Sequence, residues 1–251
     1  MSKVGNSHVP GVVWLFGRGA SIACKLPWCE PKQWRGEKRN MRVEKIKHDL
    51  LEAMVQPYVN ARPYKLLLGE LAERSRLDWP HRFHTTNWDT LLQREITGLG
   101  LTTAPSWLPE THVFHLNGAV EDLPRSTGIP LRSPILLEDD ECKQRTDSVE
   151  FNHGVEWMLW RHVFVVVGMS FSCPTDRALL RLLQKFDFSA SYAWWLVISP
   201  TGESADETAG RIWAVLPKAD VRYVASGFEE WVTNGMPELV RGGILEPSKH
   251  G

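Results

Sequence analysis

Residues able to do chemistry cluster in short polar runs that follow apolar segments. In "VVWLFGRGAS" the apolar run Val12 to Phe16 leads into Gly17, Arg18, Gly19, Ala20 and Ser21. Glycines let a backbone turn sharply and approach a ligand closely. A helix that follows offers unpaired N–H groups and a positive dipole end to a phosphate. The turn reads in two ways: as a pyrophosphate cradle assisted by Arg18, or as an ordinary strand-to-helix turn with Arg18 in solvent. It is not a complete GxGxxG fingerprint, because the third small position and the later acidic residue are missing.

A second run, "FHTTNWDTLL", has the same layout. Thr86 or Asn87 is suited to cap the helix that follows. Asn87 would equally stand at the carboxyl end of a parallel strand, where open α/β sheets bind ligands. Asp89 in the first helical turn can hold a neighbour or favour the helix start. A third run, "HVFHLNGAV", places His115 and Asn117 before Gly118. If the strand continues to Asn117, the two side chains share a face, about 6.6 Å apart along it. His112 then faces the other way. His115 reads as a general base near neutral pKa or as a hydrogen-bonded core histidine. The fourth run, "GMSFSCPTD", brings Gly168, Ser170 and Asp176 to the end of a strongly apolar strand. Four polar strand ends at one rim predict a cleft for a phosphorylated, hydroxyl-rich ligand.

The elements that must position these groups alternate between strand and helix. "VVWLF", "FHT", "THVFHL", "HVFVVVG", "AWWLVIS" and "VRYVA" read as strands. "VEKIKHDLLEAMVQPYV", "PYKLLLGELAERSRL", "VEWMLWRHV", "PTDRALLRLLQKF" and "FEEWVTNGM" read as helices. Strands that are apolar throughout are buried on both faces. The expectation is an α/β fold: one Rossmann-like domain over residues 1–251, a parallel sheet with helices on both faces and a small helical insertion near residues 30–80. The polar stretch from Glu30 to Arg42 reads as a loop.

Composition narrows the function classes. The chain has 251 residues, 43% of them apolar, and a net charge of -1, which gives no whole-chain footprint for nucleic acid or an anionic membrane. No apolar run is long enough to span a bilayer, and "MSKVGNSHVPG" lacks a signal core, so a cytoplasmic location is expected. The four cysteines include no CxxC pair, so no zinc module is expected and free thiols are. In strands the HxxH pairs His81/His84 and His112/His115 point to opposite faces, so no metal site is expected. The twelve tryptophans, including Trp34, Trp194 and Trp195, suggest an oligomer or partner surface.

Taken in order, these motifs resemble the sirtuin superfamily, specifically its prokaryotic sirtuin-like branch. "FGRGASIACKLPWCEPKQW" is similar to the opening Gly-x-Gly-Ala-Ser turn followed by Leu-Pro and Trp. "TTNWDTLL" is similar to the Thr-Thr-Asn-aromatic-Asp motif, and "VFHLNG" falls where the family has Leu-His-Gly. "SPILLEDDE" and "FVVVGMSFSCPTDRALLRLL" resemble later segments, so the likeness runs from about Val12 to Val197. It implies hydrolysis of NAD to nicotinamide and ADP-ribose in antiviral (abortive-infection) defence, with NAD as substrate and no metal. It also implies a partner protein that senses infection or a nucleotide signal, within an oligomer or hetero-complex. Gly17, Arg18, Gly19, Ala20, Ser21, Thr86, Gly168, Ser170 and Asp176 would bind the dinucleotide. Asn87, Asp89, His115 and Asn117 would form the catalytic set.

The departure from the pattern is Asn117, which stands where the family has its histidine and cannot act as a base. Three outcomes follow. His115 substitutes as base, Asn117 orients water for slower hydrolysis, or the site binds NAD without cleaving it, as a nucleotide-binding subunit of a larger complex. An NAD-dependent deacylase is disfavoured by the missing zinc module, and a dehydrogenase by the incomplete fingerprint.

Overall fold

In the computed structural model the described residues are 11–76, 79–98, 113–122, 134–138, 140–141, 144, 158, 161–186 and 192–247. The strands are β1 (Val12–Phe16), β2 (His81–Thr85), β3 (Phe114–His115), β4 (Val163–Val167), β5 (Trp194–Ser199) and β6 (Asp220–Ala225). The helices, in chain order, are α1 (Arg18–Ala23), α2 (Arg39–Met54), α3 (Arg62–Arg74), α4 (Leu91–Gly98), α5 (Pro174–Phe186), α6 (Gly202–Val215), α7 (Phe228–Thr233) and α8 (Pro237–Arg241). A 3-10 turn covers Lys32–Gly36. The expected helix over "VEWMLWRHV" falls mostly outside the described residues.

All the strands run parallel, in the order β3-β2-β1-β4-β5-β6. This is a Rossmann-like α/β sheet. The alternation along β1 explains its unbroken apolar sequence. Val12, Trp14 and Phe16 enter one core with α2, α3 and α7, while Val13 and Leu15 enter the other with α5 and α6. Each face needs its own apolar residues, so no polar position is left. The insertion between β1 and β2 shares the first core, through Ile46, Leu50, Tyr64, Leu67 and Leu71.

Three local expectations are corrected. The stretch Glu30 to Arg42 is not all loop, because α2 begins at Arg39. Its polar first turn is held by long-range partners: Arg39 pairs with Glu141, and Arg42 with Glu30 and Glu138. Second, β3 ends at His115, and Leu116 and Asn117 lie in a turn. The same-face argument for His115 and Asn117 therefore fails. Third, of the named tryptophans one is buried and two keep part of their surface in solvent. Trp195 is fully buried and stacks on Phe164 at 4.2 Å. Trp194 is half-buried beneath Arg222, and Trp34 lies half-buried beside Lys45. Among the described residues the exposed aromatic rings are Tyr58, Tyr192, Trp213 and Tyr223.

His81 belongs to the scaffold. The Trp14 indole N–H donates to its Nδ1 at 2.9 Å, which puts the ring proton on Nε2, 3.0 Å from Ser75 Oγ. Burial lowers its pKa to about 3. Among the described residues no group of three or more His, Cys, Asp or Glu could hold a metal ion, and no helix is long and apolar enough to cross a membrane.

The chain runs outward from β1 to β3, then returns to β4 on the other side of β1. That reversal is the topological switch point, where such sheets open a crevice at their carboxyl ends. Here the β1–α1 turn and the loop after β4 touch backbone to backbone. A Cβ on Gly17 would meet Gly168 O at 2.6 Å, and one on Gly19 would meet Gly168 Cα at 2.7 Å. Gly17→Ala is expected to cost about 3 kcal/mol or more, because the clash is with main chain that cannot rotate away. Chemical denaturation measures this; an unchanged midpoint would show that the two loops separate freely.

Candidate functional site

Beside this switch point, over the carboxyl ends of β1, β2 and β3, lies a cavity of about 310 Å³ lined by Arg18, Ser21, Leu26, Trp28, Cys29, Glu30, Arg35, Leu50, Thr86, Asn87, Trp88, Asp89 and Asn117. Its size is at the lower end of the range for small-ligand sites. The ends of β1, β2 and β3 each supply part of the wall.

The β2 end is fixed first. Thr85 Oγ1 donates to Phe16 O at 3.1 Å and accepts from Asn87 N at 3.0 Å, while Thr86 N donates to Phe16 O at 3.1 Å. The Asn87 side chain is then locked from below. Its Nδ2 donates to Gly17 O at 2.9 Å and to Ser21 Oγ at 2.8 Å. A carbonyl can only accept, so the amide nitrogen must face inward and Oδ1 is the atom offered to the cavity.

Ser21 is the hub of that lock. Its hydroxyl donates to Asp89 Oδ2 at 2.6 Å and accepts from Asn87 Nδ2 at 2.8 Å. Its proton and a lone pair are thereby used inside the network, so Ser21 acts on the ligand through Asn87. Tyr64 of α3 is buried edge-on between Phe16 at 5.4 Å and Phe228 at 5.6 Å. The other oxygen of Asp89 accepts from Leu91 N at 3.2 Å, so Asp89 rather than Thr86 or Asn87 serves the start of α4. Burial pushes the Asp89 carboxyl up, opposed by the Ser21 hydrogen bond.

The β3 end contributes Asn117. Its Nδ2 donates to Thr86 O at 3.1 Å, and its Oδ1 is buried without a hydrogen-bond partner. The turn that carries it is seated on a distant segment: Leu136 N donates to Asn117 O at 3.0 Å, and a Cβ on Gly118 (φ +85°) would meet Ile135 N at 2.7 Å. His115, 5% exposed, does not line the cavity. Its Nδ1–H donates to Asn87 O at 3.2 Å, so it braces the main chain behind Asn87.

The first turn has a different job from the one its glycines suggest. Gly17 N donates to Val167 O at 3.0 Å, Gly19 N to Gly168 O at 2.9 Å and Ala20 N to Gly17 O at 2.9 Å. These amides hold the loops together, while the exposed Arg18 side chain reaches the cavity wall. Gly168 takes φ +59°, and the exposed Ser170 hydroxyl bonds Ser172 at 2.7 Å; neither lines the cavity. Asp176, in the first turn of α5, is 4% exposed and does not line the cavity.

Sequence reasoning missed much of the wall. Trp28 and Trp88 meet edge to face at 6.1 Å and present flat apolar surface. Arg35 joins Arg18 at the mouth. Glu30 is neutralised by the nearly buried Arg42, whose Nε donates to it at 2.8 Å. Trp28 and Trp88 were legible inside "LPW" and "TNWD"; Arg35, Glu30 and Tyr64 carried no local signal. Cys29 is exposed, Cys24 buried and Cys173 half-buried, all as free thiols, whereas Cys142 and His112 lie outside the described residues.

Neither a protein-family model nor a curated protein matches the chain.

Burial raises the Asp176 carboxyl to about 6, opposed in part by the nearby charge of Arg177. The folded state therefore holds this proton more tightly than the unfolded chain, and the Asp176 contribution to stability falls as pH rises from about 4 to about 6. Asp176→Asn should stabilise the protein above pH 6, by at most about 3 kcal/mol, with the gain vanishing near pH 4. Denaturation midpoints of parent and variant across that range test it; a pH-independent difference would refute it.

Proposed function

We propose that this cavity binds NAD and hydrolyses its nicotinamide–ribose bond. The observation that carries the reading is the locked Asn87 amide, with both N–H groups tied to Gly17 O and Ser21 Oγ and its oxygen directed at the switch-point cavity. The wall chemistry supports a dinucleotide. Trp28 and Trp88 offer faces for a planar ring, and Arg18 and Arg35 suit a pyrophosphate. The order of the Gly-rich, Thr-Thr-Asn and Gly-x-Ser motifs, similar to the prokaryotic sirtuin-like branch, supplies the reaction class.

The electron pair of the C1′–N bond leaves with the ring, so nicotinamide departs neutral and needs no acid. The ribose carbon left behind has oxocarbenium character. Water adds to it, its second proton passes to solvent, and ADP-ribose results. Asn87 Oδ1 accepts a hydrogen bond from that water or from a ribose hydroxyl, and the rate gain lies largely in this orientation. His115 is a positioning residue here, bracing Asn87 through its main-chain oxygen. Asp89 acts through Ser21.

A second reading is a nucleotide-binding subunit that does not turn over. Asn117 favours it, since an amide stands where a base would help. The resemblance also suggests a separate sensor protein that switches activity on, within a hetero-complex.

Purified protein, alone and with the products of neighbouring genes, is expected to release nicotinamide from NAD. Asn87→Ala should lower the rate about 100-fold or more in a protein that still folds, with a melting temperature somewhat lowered by the loss of its bonds to Gly17 and Ser21. Equal rates in parent and variant would overturn the assignment; tight NAD binding without any release would favour the second reading.

A further inference from the structure

We infer that Asn117 is a specificity residue: its Oδ1 accepts a hydrogen bond from an O–H or N–H group of the bound ligand. The inference rests on the dinucleotide reading above. Buried polar atoms of folded proteins are almost always paired, and an orphan calls for a physical reason. Asn117 Oδ1 is such an orphan, in a residue that lines the cavity. The amide cannot relieve it by flipping. Its Nδ2 donates to Thr86 O at 3.1 Å, and a flip would set two acceptors against each other. Nor can the residue swing away easily, because the turn is tied down through Leu136 N on Asn117 O and through Gly118 on Pro134 and Ile135.

Asn87 has the same design. Its Nδ2 is also spent on protein acceptors, and its oxygen is also the group left for the cavity. Asp89 adds a carboxylate to the same wall. The floor of the cavity is therefore rich in acceptors, with cationic donors confined to the exposed Arg18 and Arg35 at its mouth. Such a floor receives groups that donate, and disfavours a group that brings only acceptors, since two facing acceptors leave both unpaired. On the nicotinamide half of NAD, which the proposed reaction brings to Asn87, two groups donate: the ribose hydroxyls and the NH₂ of the carboxamide. Asn117 thus reads a donor on the substrate and takes no proton from it.

The test is equilibrium binding, read by tryptophan fluorescence quenching on rapid mixing, before turnover. The probes are NAD, its 2′-deoxy and 3′-deoxy forms, and the nicotinic acid dinucleotide, which replaces the carboxamide by a carboxylate. The parent should bind one of these analogues about 10-fold more weakly than NAD, and which one identifies the donor. Asn117→Ala should reduce that discrimination to less than about 3-fold, chiefly by weakening NAD. Asn117→Ser serves the same purpose if the alanine variant does not fold. Discrimination retained in the variants, or absent from a parent that binds NAD, overturns the role of Asn117 and leaves the dinucleotide reading standing. A folded parent that binds none of the probes overturns both.

Discussion

Everything at the site depends on the close approach of two backbones, Gly17–Gly19 after β1 and Gly168 after β4. The contact has no room for a single Cβ. It brings the loop on one side of the switch point against the loop on the other and spends the turn's own amides on that junction. The glycines here are therefore required by the protein's own packing, with the ligand approached by the side chains that the junction leaves facing outward.

From that junction the site is built by successive restraint. The carbonyls of Phe16 and Gly17 become acceptors for Thr85, Thr86 and Asn87 at the end of β2. Ser21, one turn into α1, joins Asn87 to Asp89. Thr86 passes the restraint on: its carbonyl holds Asn117. Each polar group is fixed by a neighbour from another strand end. The geometry is set by the sheet as a whole, and side-chain oxygens rather than main-chain amides are what remain for a ligand.

The helical insertion is part of this apparatus. Tyr64 from α3 packs against Phe16 at the end of β1, while Arg42 from α2 ties the cavity wall at Glu30 to the segment that seats Asn117. Breaking a buried charge pair such as Arg42–Glu30 strands the surviving charge, so these contacts fix position strongly even where their net stabilisation is small.

The sequence by itself determined the apolar strands of the sheet, because cover on both faces favours apolar residues at every position, as in Val12–Phe16 and Val163–Val167. The equally buried β2 is polar at four of five positions and depends on tertiary partners, as His81 does on Trp14. It also determined that polar turns follow those strands, and so where a cleft would open. Only the tertiary structure decided what each polar group does. The start of α2 at Arg39 rests on carboxylates roughly a hundred positions away, and the end of β3 at His115 rests on a turn seated against Pro134. Periodicity reports which face of an element is buried. It holds no record of a hydrogen bond between Asn87 and Ser21 or between Asn117 and Thr86, because such bonds are set by distances in space between residues the chain keeps far apart.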